Sequence, residues 1–111
     1  MYLIRRTFKT KPREAPKVAA LVHAQAQLYH EQGHRGEFTV AFNGGTLPGD
    51  SNVVILEWVQ DEIMSPSRGD NDISSEIYEA GAKYREFVES SSIEFLELLS
   101  PDKLEKYKKL V

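Results

Sequence analysis

The chain has 111 residues, a formal net charge of −3 and no cysteine. This length suits a single domain, residues 1–111, and the lack of cysteine excludes disulfides, thiolate metal sites and cysteine nucleophiles. The small acidic charge argues against a nucleic-acid partner, because a phosphate backbone requires a basic surface.

The start of the chain predicts no export signal. Residues 1–6, MYLIRR, lack the order of charge, apolar stretch and small-residue cleavage site that a signal peptide shows. No apolar run approaches the ~18 residues that a membrane span needs. We therefore expect a cytoplasmic protein with no membrane partner.

The first part of the chain predicts a strand, a helix and a second strand. Residues 2–9 alternate apolar and polar side chains, as a half-buried strand does. In residues 14–32 apolar side chains recur every three or four positions, which predicts a helix if Pro16 lies in its first turn. Gly33 suits the C-terminal cap, since glycine adopts positive φ without strain. Residues 37–42 alternate again and predict the second strand.

The third predicted strand, residues 52–60, is apolar on both faces. Its run VVILEWV at 53–59 contains a single charge, Glu57. A strand of an antiparallel sheet with one face in water should alternate instead. Helices can cover one face, and a second copy of the chain is the simplest cover for the other. We therefore predict a homodimer, because the exposed alternative is a large apolar patch.

A polar loop and a second helix follow the third strand. Residues 61–72 carry few apolar anchors, so we predict that they form the most mobile internal segment. The helix is predicted at residues 73–89, with Asp70 or Asp72 as its N-terminal cap.

The end of the chain contains one ambiguous segment and one clear helix start. Three serines at 90–92 are expected to interrupt the second helix. Residues 93–99 then fit either a fourth strand or a continued helix, and the strand is favoured. Ser100 followed by Pro101 is typical of a helix cap and first position, which predicts a short terminal helix.

The predicted element order is β-α-β-β-α-β with an extra C-terminal helix. This order is the split βαβ, ferredoxin-like plan, an α+β fold with an antiparallel sheet. We expect the first and third strands to be parallel neighbours at the centre of the sheet, with the helices on one face.

Three segments resemble a known family: YLIRRTF at 2–8, the helix reaching Leu28 and Tyr29, and VVILEW at 53–58. They resemble the NIPSNAP family and, more broadly, the dimeric α/β-barrel superfamily, which also holds antibiotic-biosynthesis monooxygenases and haem-degrading enzymes. The resemblance spans residues 1–99 and consists of hydrophobic patterns. It implies two sheets packed face to face across a two-fold axis, but no activity, since NIPSNAP-like proteins have no settled common one. The chain departs from the pattern in its fourth strand, its loop at 61–72 and its terminal helix.

Glu57 is the most informative polar residue. A carboxylate within an apolar central strand should be paired with a cation or have a raised pKa. Arg5 and Arg6 of the first strand point to opposite faces, so one of them shares the face of Glu57. The pair is interpreted either as a buried ion pair at the subunit interface or as part of a polar patch that lines a ligand cavity.

The three histidines do not predict a metal site. His23 and His30 lie seven positions apart, about 10 Å along a helix, which is too far to share one ion unaided. Between His30 and His34, Gly33 is expected to end the helix. His34 is the histidine best placed to line an opening. We therefore expect no metal and no cofactor.

Four aromatic side chains could line a pocket between sheet and helices for a small, flat, apolar ligand: Trp58, Tyr84, Phe42 and Tyr29. The alternative interpretation is that they form ordinary core.

Three hypotheses for function remain open. The first is a small dimeric NIPSNAP-like protein of unassigned activity, with a copy of itself as partner and a small apolar ligand. The second is a cofactor-independent monooxygenase of the antibiotic-biosynthesis type, acting on an aromatic or polyketide-like substrate, with His34, Glu57, Arg5 or Arg6 as the base or donor. The third, haem binding through a histidine, is weakened because His23 and His30 leave the apolar stripe.

Overall fold

The computed structural model describes residues 1–63 and 73–111. The predicted loop at 61–72 falls mostly on residues outside this range, as do the proposed caps Asp70 and Asp72. The elements in chain order are β1 (Tyr2–Thr10), α1 (Ala15–Glu31), β2 (Phe38–Asn43), β3 (Val53–Gln60), α2 (Ser75–Arg85), β4 (Val88–Glu97) and α3 (Pro101–Tyr107), followed by a 3-10 turn (Lys108–Leu110).

The four strands form one antiparallel sheet in the order β2-β3-β1-β4. This confirms the α+β, ferredoxin-like plan, but the expectation that β1 and β3 run parallel was wrong. The crossover through α1 makes β2 run in the same direction as β1. The tight connection at 44–52 then reverses the chain, so β3 is antiparallel to both strands.

The favoured fourth strand is confirmed and is longer than expected. It begins at Val88, so α2 ends at Arg85 and not at residue 89. The three serines at 90–92 do not interrupt a helix but lie within β4 and pair with residues 7–9 of β1. Val88 has helical spacing from Tyr84, yet pairing with β1 decides its conformation, because tertiary context overrides weak local preference.

The helix ends follow the sequence closely. Pro16 lies in the first turn of α1, and Ser100 caps α3 by accepting a hydrogen bond from the Lys103 amide at 3.3 Å. Gly33 adopts φ +78° after α1. Its N–H donates to the His30 carbonyl at 3.1 Å, and the His34 N–H donates to Tyr29 at 2.9 Å. This is the Schellman motif, which satisfies the last carbonyls of the helix.

The two faces of the sheet differ in burial. On one face α1 and α2 cover β1 and β3, and this core includes Ile4, Phe8, Val18, Val22, Val54, Leu56 and Trp58. The opposite side, here called the open face, carries the alternate residues of the same strands: Leu3, Arg5, Thr39, Ile55, Glu57, Val59, Glu94 and Leu96. In the described part of the chain no helix covers the open face, where Val59 and Leu96 are exposed.

Candidate functional site

An ion cluster crosses three strands of the open face. Arg5 of β1 lies directly opposite Glu57 of β3 and Glu94 of β4 in the strand register. Its Nε donates to Glu57 Oε1 at 2.7 Å, and its guanidinium lies 3.6 Å from the Glu94 carboxylate. Of the two arginines proposed for Glu57, the structure therefore selects Arg5, because Arg6 points to the helix face.

Solvent still reaches this cluster in the single chain. The side chains of Arg5 and Glu57 are 36% and 30% exposed. The hydrogen bond to Glu57, with the charge of that carboxylate, raises the pKa of Arg5. A pair with this much exposure is screened by water and contributes little to stability. The burial that the sequence predicted for Glu57 is therefore incomplete within one copy.

Glu57 also borders a shallow apolar depression of about 260 Å³ on the sheet. Its walls include Leu3, Thr39 and Val59. The depression and the ion cluster together give the open face a charged centre with apolar surroundings.

On the opposite face, Arg6 lines a cleft of about 380 Å³ between α2 and strands β1 and β4, here called the arginine cleft. The Arg6 guanidinium lies over the Phe8 ring, 5.2 Å from its centroid. The other polar residues lining the cleft are Gln25, Tyr78, Tyr84, Arg85, Ser90 and Ser91.

Tyr84 is held firmly at the base of the arginine cleft. Its ring packs edge-on against Phe8 at a centroid distance of 5.4 Å. Its hydroxyl donates to Gln25 Oε1 at 2.7 Å, and Gln25 Nε2 donates to the Ile77 carbonyl at 3.1 Å. The Gln25 amide thus ties α1 to α2 at two points.

Gly81 makes room for this amide. A Cβ at position 81 would lie 2.5 Å from Gln25 Nε2, closer than van der Waals contact allows. Because glycine lowers helix stability in an interior position, its presence in α2 is explained by this close approach and not by helix formation.

The electrostatics around Tyr84 are dominated by arginine. Burial raises the pKa of the Tyr84 hydroxyl above its ordinary value. Three neighbouring guanidinium groups oppose that rise, those of Arg6, Arg85 and Arg35. The charge near this hydroxyl is therefore strongly positive.

Arg35 is a residue that the sequence interpretation missed. Its guanidinium lies between two aromatic rings, 3.7 Å from the Tyr29 centroid and 4.1 Å from the Trp58 centroid. Burial lowers its pKa from the ordinary value. The cap at Gly33 was the available signal, since a Schellman turn sends the next residues back across the helix end toward the sheet.

The four proposed aromatic residues do not share one pocket. Tyr29 and Trp58 enclose Arg35, while Tyr84 lies at the arginine cleft. Phe42 lies opposite Val54 toward one end of β2 and is 49% exposed. The space between Tyr29 and Trp58 is occupied by the guanidinium and not by an empty cavity.

The histidines lie around the end of α1. His34 packs edge-on against Tyr29 at 6.1 Å and lines an open surface cavity of about 470 Å³ with Arg35 and Asp61. His30 Nδ1 lies 3.1 Å from the Arg35 carbonyl oxygen, and His23 packs on Phe38 at 5.1 Å. Among residues 1–63 and 73–111, no three histidines or carboxylates converge as a metal site would require.

Comparison with known proteins identifies the fold and not an activity. No family model and no curated protein matches the sequence. A solved NIPSNAP domain protein from Burkholderia xenovorans superposes with a TM-score of 0.68 at 14% identity, over 88% of this chain and 94% of that one. A structural-genomics target from Agrobacterium tumefaciens superposes with a TM-score of 0.60 at 18% identity, over 91% and 98%. None of the described helices is long and apolar enough to cross a membrane. The chain therefore has the ferredoxin-like fold of a NIPSNAP domain, as its hydrophobic pattern predicted.

Proposed function

We propose that this protein is a homodimeric binding domain, in which two copies pack open face against open face and each copy holds a small molecule in its arginine cleft. The observation that carries the dimer is the composition of the open face. Val59 and Leu96 are exposed there beside the Arg5–Glu57 pair, whereas on the other face α1 and α2 cover β1 and β3. Exposed apolar area of this kind marks an interaction surface.

The C-terminal region supports the same proposal. α3 has no buried residue, although Leu104 and Tyr107 are large and apolar, and Leu110 of the following turn is 80% exposed. The radius of gyration is 16.1 Å, compared with about 13 Å for a compact domain of this length. A second copy would supply a surface against which α3 and the following turn could pack.

The ligand part of the proposal is supported by the arginine cleft. Its volume of about 380 Å³ falls in the range of small-molecule sites, roughly 300–1,000 Å³. The cleft places the aromatic rings of Phe8, Tyr78 and Tyr84 beside polar and charged groups, so it offers a ligand both apolar contact and hydrogen-bonding partners.

The dimer is tested by sedimentation equilibrium at micromolar concentration. Val59→Lys places a charge on the open face and should convert the dimer to a folded monomer. Ala20→Lys adds the same charge to the exposed side of α1 and should leave the dimer intact, since Ala20 lies away from the sheet. A monomeric wild-type chain, or equal effects of the two variants, would refute pairing through the open face.

A second candidate function is a cofactor-independent monooxygenase acting on an aromatic or polyketide-like substrate. Arg6 favours it, since a guanidinium that lines the arginine cleft can donate to a substrate oxyanion. Of the proposed catalytic residues only Arg6 lines the arginine cleft, whereas His34 lies at a separate cavity and the Arg5–Glu57 pair on the other face. Oxygen uptake with a hydroxyanthrone substrate, lost in Arg6→Gln, would support this function. No uptake above the uncatalysed rate would exclude it for that substrate class.

A further inference from the structure

We propose that the arginine cleft is an anion-binding site that takes the carboxylate or phosphate end of a small organic ligand, with the apolar part of that ligand against Phe8 and Val88. This inference rests on the proposed function, because it names the chemistry of the ligand in the same cleft. It replaces the purely apolar ligand that the sequence predicted.

The first argument is the charge balance of the walls. Arg6 and Arg85 line the cleft, and no aspartate or glutamate lines it among the described residues. The whole chain has 17 acidic and 14 basic residues, so a cleft with two cations and no carboxylate is contrary to the overall composition. An apolar ligand would gain nothing from these charges and would have to desolvate them.

The second argument is the absence of internal partners. In the described part of the chain, ion pairs satisfy Arg5, Lys9, Lys103 and Lys108. Among residues 1–63 and 73–111 neither Arg6 nor Arg85 forms an ion pair, although carboxylates are plentiful. Guanidinium groups that face a cleft without a carboxylate have N–H donors available to a bound anion. They can bind that anion in bidentate geometry.

The third argument is preorganisation. Arg6 belongs to β1, a central strand, and its guanidinium lies over the Phe8 ring. Arg85 lies at the end of α2, the helix that Gln25 anchors to α1. Both cations are thus carried by regular elements, so ligand binding requires little ordering of the backbone.

The fourth argument is the supply of neutral donors. Ser90 and Ser91 of β4 line the cleft with hydroxyl groups. The guanidinium of Arg35 adds to the positive charge near Tyr84, which lines the same cleft. Hydroxyl donors combined with guanidinium groups suit an oxyanion, which offers several acceptor oxygens.

The test is an NMR titration of the ¹⁵N-labelled full chain with three probes: benzoate, its neutral isostere benzamide, and inorganic phosphate. Benzoate should shift the amide signals of Gly81, Tyr84 and Ser91, with benzamide binding at least about tenfold more weakly. Phosphate shifting the same signals would indicate that the charged end is sufficient for binding.

Two variants test whether Arg6 and Arg85 bind the anion. Arg6→Gln and Arg85→Gln should each weaken benzoate binding by about tenfold or more, since each removes one charged donor. Arg13→Gln is the matched control, because Arg13 is exposed and lines no part of the cleft, and it should change binding less than about twofold. Arg85 is exposed, so its variant will fold even if Arg6→Gln does not.

The outcomes separate this inference from the proposed function. Equal binding of benzoate and benzamide at the cleft would overturn the anion site and leave the ligand-binding function standing. Binding of benzoate that Arg6→Gln and Arg85→Gln do not weaken would also overturn it. If none of the three probes shifts any cleft signal, the anion site is refuted, and the dimer measured by sedimentation is unaffected.

Discussion

Arg5 and Arg6 are neighbours in sequence and lie in different environments. Arg5 lies on the open face and is paired with Glu57 and Glu94. Arg6 lies on the helix face, lines a cleft without carboxylates and has only the Phe8 ring beneath it. The pleat of one strand thus places an arginine paired with carboxylates on one face and an arginine that lines a cleft on the other. The environment of each arginine therefore depends on whether helices cover its face of the sheet.

The largest expected difference between the two faces is in packing. Ile4 and Leu3 are adjacent on β1, but Ile4 is 1% exposed in the core whereas Leu3 is half-buried on the open face. Ile4→Ala should lower the free energy of unfolding by about 3 kcal/mol, because it leaves a cavity in a packed core. Leu3→Ala should cost about 1 kcal/mol or less in dilute, monomeric protein.

Urea unfolding at low and high protein concentration measures both variants. The Leu3→Ala loss should grow with concentration, since the dimer would bury Leu3. An equal loss of unfolding free energy for both variants in the monomer would show that the two faces of the sheet are packed alike, which would contradict the difference described here.

The second expected effect concerns the ion cluster in the dimer. Pairing of the open faces would exclude water from Arg5 and Glu57, so Glu57→Gln would leave a buried cation incompletely compensated. We expect the dissociation constant of the dimer to rise on the order of tenfold. The free energy of unfolding of the monomer should change little, because water screens the pair there.

A double-mutant cycle identifies the partner of Glu57. Arg5→Gln combined with Glu57→Gln should recover part of the loss in dimer affinity, because no unpaired charge remains. Arg6→Gln is the control, and it should combine additively with Glu57→Gln since Arg6 lies on the other face. Coupling of Glu57 to Arg6 would contradict the strand register.

The smallest expected effect sharpens the description of the arginine cleft. Gly81→Ala should favour the helix by about 1 kcal/mol, but its Cβ would displace the Gln25 amide from Ile77 and Tyr84. The two effects should nearly cancel in the wild-type chain. When Gln25→Ala has already removed the amide, Gly81→Ala should stabilise by the full helix preference. Thermal unfolding of the four chains gives the coupling, and an equal gain in both backgrounds would show that Gln25 does not constrain position 81.

Short-range signals predicted much of this architecture. Gly33, Pro16 and the Ser100–Pro101 pair act within one helical turn, so their roles could be inferred from the sequence and are confirmed. The start of β4 could not be inferred, because Val88 fits a helical stripe with Tyr84 and only pairing with Thr10 of β1 makes it a strand. The direction of β1 relative to β3 was mispredicted. The crossover through α1 leaves β2 in the direction of β1, and the connection at 44–52 then reverses the chain into β3.

The sequence predicted the charge pair of the candidate site but did not predict its clefts. The sequence indicated that Glu57 needs one of two arginines, because strand alternation and the cost of an unpaired charge are local rules. The structure selected Arg5 through the register. The contact of Arg35 with Trp58 and the convergence of Arg6 with Arg85 join residues that are far apart in the chain.

By itself the sequence determined the fold class, the ends of α1, the start of α3 and the presence of a doubly apolar central strand, since periodicity and capping are properties of neighbouring residues. Only the tertiary structure decided which arginine is paired and which faces an open cleft. The physical reason is that burial and electrostatic pairing depend on distances between elements, and the sheet brings those elements together only after the chain has folded.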